Sequence, residues 1–177
     1  MGTMHSEIPV VGFAAFSGTG KTTLLEQLIP ILSRSGVRIG TIKHAHHQFD
    51  IDTPGKDSYR LRKAGAIQTL IASSQRWALM AENPVTDPPE LADLVPQLDR
   101  KHLDLILVEG FKQAHIPKIE LHRASLGHPL LAPGDPDIVA IASDTPLTAE
   151  TDLPLLDLNR PEEIANFILV QWLEHNE

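Results

Sequence analysis

The segment AFSGTGKT, Ala15 to Thr22, is the stretch on which the fold turns. Ile8 to Ala15 before it is an apolar run that reads as a buried strand. After it, Leu24, Leu25, Leu28, Ile31 and Leu32 recur on one side of a predicted helix that stops at Gly36. Pro30 falls inside that helix and removes a backbone hydrogen bond, so a local kink is expected. A glycine-rich turn between a strand and a helix is the setting of a phosphate-binding loop. Gly18 and Gly20 permit the torsions that turn successive N–H groups of Ser17, Gly18, Thr19 and Gly20 inward, and the helix N-terminus adds its positive end. Lys21 is placed to neutralise outer phosphates, Thr22 to offer its hydroxyl to Mg²⁺, and Thr23 to bond an inner phosphate. Ala15 stands where such loops usually have glycine, which restricts the backbone only mildly. The plainer alternative is a strand-to-helix turn with a surface lysine. Phe16 and Ser17 occupy the earlier loop positions, so a second loop lysine acting in trans is unsupported.

Outward from this loop, β-branched runs alternate with amphipathic stretches, which predicts an α/β protein of the P-loop NTPase type, a three-layer sandwich on a mixed, mainly parallel sheet. Val37 to Lys43 reads as the second strand, and a short helix through Tyr59 and Leu61 ends near Gly65. Ala66 to Ser73 and Arg76 to Ala81 are close enough for an antiparallel hairpin. Pro88 to Leu98 is a weaker helix, and Ile116 to His122 and Asp137 to Ala142 are strands. The Gly- and Pro-rich segment Ala124 to Pro136 between those strands is expected to be mobile. Asn159 with Glu162 suggests the cap of a closing helix carrying Ile164, Phe167, Ile168 and Trp172.

Leu103 to Glu109 is an apolar strand that delivers Glu109 to the same sheet edge as the phosphate loop. Glu109 is the catalytic and metal candidate: it accepts from a Mg²⁺-bound water, orients a nucleophilic water, or both. Gly110 lets the backbone pass close to phosphates. The polar loop after the second strand gathers Lys43, His44, His46, His47, Asp50 and Asp52. Three readings compete for it: a transition-metal site built on the histidines, a switch-like loop with Asp50 or Asp52 accepting metal-bound water and Lys43 or Lys56 contacting an anion, and ordinary solvated loop chemistry. Asp144 comes just after a late strand. A carboxylate accepts the N1 and N2 hydrogens of guanine, a donor pair that adenine lacks, but Ser-Asp-Thr-Pro is equally a good turn.

With 177 residues, 42% apolar and 21% charged, the chain is expected to form one domain over 1–177. Lys and Arg number 15 against 23 Asp and Glu, a net charge of −8, which argues against a nucleic-acid partner. The longest apolar runs are far short of a membrane span. With no cysteine, disulfides and thiolate metal sites are excluded, and a reducing, cytoplasmic location is expected. The N-terminus matches the myristoylation pattern at Gly2 and Ser6 but has no polybasic second anchor, so an ordinary terminus is the reading.

SGTGKTTL (Ser17 to Leu24), IKHAHHQFDIDTPGKDSYRLRKAGA (Ile42 to Ala66), RWALM (Arg76 to Met80) and DLILVEGFK (Asp104 to Lys112) together resemble the MobB family of molybdopterin-guanine dinucleotide biosynthesis adaptors. The resemblance implies a P-loop GTP-binding protein of the SIMIBI-like branch, usually a homodimer. It implies GTP and Mg²⁺ as ligands, with molybdopterin as a further one. It also implies a MobA-type guanylyltransferase as partner, which the adaptor assists in attaching GMP to molybdopterin. Intrinsic GTP hydrolysis in the family is weak, and the sequence offers neither an arginine finger nor a hydrolytic glutamine. A P-loop small-molecule kinase is the competing reading; Arg60, Arg62, His122 and Arg123 are available to it, without a compact arginine-rich lid.

Overall fold

The computed structural model describes residues 8–45, 49–83, 88–148 and 150–174. The terminal glycine and serine of the myristoylation pattern, and His46 and His47, lie outside the described residues. The chain divides into two compact units, one of residues 1–44 and 91–177, the other of residues 45–90.

The larger unit is built on a six-stranded sheet. In chain order its strands are β1 (Val10–Ala14), β2 (Ile39–Lys43), β5 (Leu105–Glu109), β6 (Lys118–His122), β7 (Ile138–Ser143) and β8 (Leu155–Asp157). Across the sheet the order is β2-β5-β1-β6-β7-β8, and every pair is parallel. The antiparallel pair expected from the sequence exists, but it forms a separate two-stranded sheet in the smaller unit. Parallel strands need covering on both faces, and the side chains of β5 show how this is met. Leu105 and Leu107 face one cluster with Leu24, Leu28 and Leu32 of α1 (Lys21–Arg34) and Ile164 and Ile168 of α4 (Pro161–Ile168). Ile106 and Val108 face the other, with Leu91 of α3 (Leu91–Leu94) and Leu98. Helices on both faces make the three layers.

α1 runs through Pro30 as one helix, so the proline does not interrupt it. Its buried leucines at 24, 28 and 32 repeat every four residues, enough packing to hold the turn that lacks one hydrogen bond. The α4 cap differs from expectation. The helix begins at Pro161, whose fixed φ suits the first helical position, and Glu163 rather than Glu162 reaches back, accepting from the Asp157 N–H at 3.3 Å.

The segment 124–136 is anchored rather than mobile. Glu120 on β6, 1% exposed, accepts the Leu131 and Ala132 N–H groups at 2.7 and 2.8 Å. Lys118, 3% exposed, donates to Asp135 at 2.9 Å and to the Lys112 carbonyl at 3.0 Å. Gly and Pro content suggested looseness; two buried charges of the sheet supply the fixed points instead.

The smaller unit holds α2 (Asp57–Lys63) and the hairpin of β3 (Gln68–Ala72) and β4 (Trp77–Ala81). Its turn is organised by Ser73, whose hydroxyl oxygen accepts the Gln75 and Arg76 N–H groups at 3.2 Å each.

Candidate functional site

The loop after β1 takes the form that the sequence demands. Gly18 has φ 80° and Gly20 φ 99°, a left-handed region in which any L side chain is strained. Gly20 is the N-cap of α1, and neither a capping side chain nor an acidic residue in the first turn competes for the first N–H groups of the helix. Those donors and the positive end of a 14-residue helix therefore stay available to an anion. Ser17 and Gly18 are exposed, as phosphate contacts need to be. Thr19 is not: its side chain is buried, and its hydroxyl donates to the Phe16 carbonyl at 2.8 Å, so this threonine braces the turn. Thr22 and Thr23 are exposed on the first turn of α1.

Lys21 reaches back along the loop, with Nζ 3.4 Å from the Ala15 carbonyl. Partial burial pushes its pKa down, Glu109 opposes that, and the positive charges of Lys112 and Lys43 push it further down. A crowded, partly desolvated ammonium of this kind gains from an arriving anion.

Glu109 stands at the centre of the site. It ends β5 and is in register with Phe13 of β1 and with Lys43 of β2, so three parallel strands end together around it. Oε1 accepts from the Thr22 hydroxyl at 3.4 Å, and Oε2 pairs with Lys43 Nζ at 2.9 Å. Of the four residues named for the metal in the sequence, Thr22, Glu109, Asp50 and Asp52, the first two are thus brought together. A hydroxyl and a carboxylate form an all-oxygen donor set that suits Mg²⁺. Beyond Glu109 the chain turns sharply: Gly110 has φ 91° and Phe111 φ 51°. A Cβ on Gly110 would lie 2.6 Å from the His44 Cβ, so the glycine is required by a close approach to the end of β2. The His44 ring packs on Phe111 at 4.8 Å between centroids, and the His44 N–H donates to the Glu109 carbonyl at 2.9 Å.

Asp50 and Asp52 lie in the smaller unit and have protein partners there. Arg62 grips Asp50 through both carboxylate oxygens at 2.7 Å and Glu82 at 2.9 Å. Asp52 Oδ1 accepts from the Ser58 hydroxyl and the Thr53 N–H at 2.9 Å each. Among the described residues no group of three or more His, Asp or Glu side chains converges to hold a metal ion.

Asp144 comes directly after β7 and is largely buried. Its Oδ2 lies 3.4 Å from Arg123 Nη1, and its Oδ1 accepts the Ala124 N–H at 3.2 Å. It borders a cavity of about 360 Å³ lined also by Ser143, Thr145, Leu156 and Asn159. The contact that sequence reasoning missed is between Arg123 and the loop after β1, where Nε donates to the Thr19 carbonyl at 2.8 Å. Nothing in the local sequence marks it, because 104 residues separate the partners. The ring of Phe16 in the same loop stacks on His128 at 4.2 Å, a second link to the segment after β6.

Comparison with known proteins agrees with this fold. The chain is 54% identical to the molybdopterin-guanine dinucleotide biosynthesis adapter protein of Escherichia coli K12, with 94% of each chain covered. It is 48% identical to the corresponding protein of Haemophilus influenzae, over 97% of this chain and 93% of the relative. The crystal structure of Bacillus subtilis MobB superposes with a TM-score of 0.72 at 26% identity, covering 95% of this chain and all of that one. Residues 10–144, from β1 through Asp144, match the family described as molybdopterin guanine dinucleotide synthesis protein B, and the chain belongs to that family.

Proposed function

We propose that this protein is a GTP-binding adapter in molybdopterin-guanine dinucleotide biosynthesis, acting with a MobA-type guanylyltransferase and hydrolysing GTP only slowly by itself. The observation that carries the reading is the convergence of an open phosphate loop, Lys21, Thr22 and Glu109 at the carboxyl ends of parallel strands, in a chain of this family. Lys21 and the loop N–H groups hold the phosphates, and Asp144 reads the guanine edge. Thr22 and Glu109 would hold Mg²⁺, which would supply charge neutralisation to the phosphates. Molybdopterin, an anionic pterin, is the further ligand of the adapter. The cytoplasm is its compartment, in keeping with the lack of cysteine.

Slow turnover is the consequence of the surroundings of Glu109. Its carboxylate is paired with Lys43 at 2.9 Å, so an attacking water has to compete with that cation for it. A small-molecule kinase would need arginines over the phosphates, whereas Arg62 is engaged by Asp50 and Glu82 and Arg123 by Thr19 and Asp144.

Homodimerisation is part of the proposal and is supported by the hairpin. Leu70 pairs with Leu79 and Ala72 with Trp77, so these side chains share one face, on which Leu70 and Trp77 are 60% and 62% exposed. An isolated two-stranded sheet with such a face gains stability by being covered. The decisive experiment for the adapter role is capture of a matched guanylyltransferase by the purified protein, with and without GTP, and with Lys21→Ala. Nucleotide-dependent capture that the variant loses is expected. Capture indifferent to both would refute the reading.

A further inference from the structure

Arg123 joins parts of the larger unit that are distant in sequence. It comes immediately after β6, and its side chain is one-third exposed. Nε donates to the Thr19 carbonyl of the phosphate loop at 2.8 Å, while Nη1 lies 3.4 Å from Asp144 Oδ2. The guanidinium also covers Gly20, where a Cβ would sit 3.7 Å from Nη2 and 3.9 Å from Nε. The second Asp144 oxygen accepts the N–H of Ala124, the residue next to Arg123. One planar cation therefore touches the backbone of the phosphate loop on one side and the carboxylate bordering the cavity at the ends of β7 and β8 on the other.

We propose that Arg123 is a specificity-determining positioning residue, which holds the Asp144 carboxylate in register with the phosphate loop so that preference for guanine over adenine nucleotides depends on it. The inference rests on Asp144 being the guanine acceptor and adds how that acceptor is aimed. A carboxylate distinguishes guanine from adenine only when both oxygens point at the N1 and N2 donors. Arg123 at one oxygen and the Ala124 N–H at the other fix the carboxylate plane, and each oxygen retains a lone pair for the base. The bond to Thr19 ties that plane to the loop that holds the phosphates. The base and the triphosphate of one nucleotide are then measured against a single frame. Arginine suits this task because its N–H donors lie in a fixed planar fork; the single ammonium of a lysine cannot make both bonds in the same geometry.

The test is calorimetry on the full chain with Mg²⁺ and GTP, ATP or inorganic triphosphate, in the parent protein and in Arg123→Ala, Arg123→Lys, Asp144→Asn and Arg123→Ala/Asp144→Asn. The parent is expected to favour GTP over ATP. Arg123→Ala should cut that preference about tenfold while changing ATP and inorganic triphosphate binding by less than about twofold. Arg123→Lys, which keeps the charge and loses the fork, should retain only part of the preference. The double variant should lose no more than Asp144→Asn alone, because both act through one contact. Equal weakening of all three ligands by Arg123→Ala would make the residue a brace of the loop and overturn the inference, as would a preference that survives in both Arg123 variants. A parent protein that does not distinguish GTP from ATP would overturn the reading of Asp144 itself.

Discussion

The Thr22 hydroxyl lies 3.4 Å from Glu109 Oε1, although 87 residues separate them in sequence. The contact exists because β1 and β5 are adjacent parallel strands that end together, so the first turn of the helix after β1 meets the last residue of β5. Under the proposed function, Glu109 also places a carboxylate, paired with Lys43, beside the site proposed for the phosphates. Glu109→Gln removes that charge and keeps the shape. In this variant the affinity for GTP without metal is expected to rise, and the gain on adding Mg²⁺ to fall about tenfold. Titrations with and without chelator measure both quantities, and a Mg²⁺ response equal to that of the parent would exclude Glu109 from the metal site.

Lys21 is the cation of the loop, and its ammonium is already partly desolvated among Lys43 and Lys112. Removing one member of a desolvated, hydrogen-bonded charge pair typically costs several kcal/mol. Lys21→Ala is therefore expected to weaken Mg-GTP binding about 100-fold or more. Thermal stability of the nucleotide-free protein should change little, since the hydrogen bond of Lys21 among the described residues is a 3.4 Å contact to the Ala15 carbonyl and its attraction to Glu109 is opposed by Lys43 and Lys112. A loss of folding in parallel with binding would give Lys21 a structural role instead.

The buried pair on β6 makes a separate claim about stability. Glu120→Ala leaves the Leu131 and Ala132 N–H groups without their acceptor and opens a gap in the sheet face, at an expected cost of about 2–4 kcal/mol. Glu120→Gln keeps one acceptor oxygen and should cost less. Denaturant unfolding of the two variants gives the comparison, and limited proteolysis should find the segment 124–136 newly cleavable in Glu120→Ala. An equally resistant segment would mean that other contacts anchor it.

The same two residues show where sequence reasoning ends. The glycine turn between β1 and α1, the strand that carries Glu109, and the hairpin are all legible, because each is local: torsions demanded by glycine, an apolar run, two runs close together. Lys118 and Glu120 alternate with apolar neighbours on a strand, which is the pattern of a solvated face. Only the tertiary structure reveals that a loop covers that face and satisfies both charges. Arg123 is hidden for the same reason, its partner being a backbone carbonyl with no sequence signature. Asp50 and Asp52 are visible as acidic residues in a polar loop, but an arginine on the next helix that claims Asp50 is not apparent from spacing alone.

The hairpin face gives a test of assembly. Leu70→Lys with Trp77→Lys places two charges on the apolar side of β3 and β4 and leaves the backbone ladder intact. Sedimentation is expected to show a dimer for the parent and a monomer for the double variant, with unchanged secondary structure. A monomeric parent, or a dimer that tolerates both lysines, would remove this face from the interface.

Asp104 supplies a pH dependence whose sign is set by one pair. Its Oδ2 accepts the Arg38 backbone N–H at 2.8 Å and Nε at 2.9 Å, and its Oδ1 accepts Arg38 Nη2 at 2.7 Å. The guanidinium contacts first, and the backbone N–H second, hold the carboxyl down to about 2. In the unfolded chain it should titrate near the ordinary value of about 3.9. A group depressed on folding adds stability above its unfolded value and loses it as the pH falls through the folded one. The parent protein should therefore lose thermal stability between about pH 4 and pH 2 more steeply than Asp104→Asn, which has no carboxyl to protonate there. Other depressed carboxyls, among them Asp50, Asp99 and Asp135, give both proteins a common acid slope, so the difference between the two curves isolates Asp104. The variant should melt lower near neutral pH and meet the parent toward pH 2. Melting curves that stay parallel across that window would show that Arg38 does not hold the carboxylate in solution as it does in the structure.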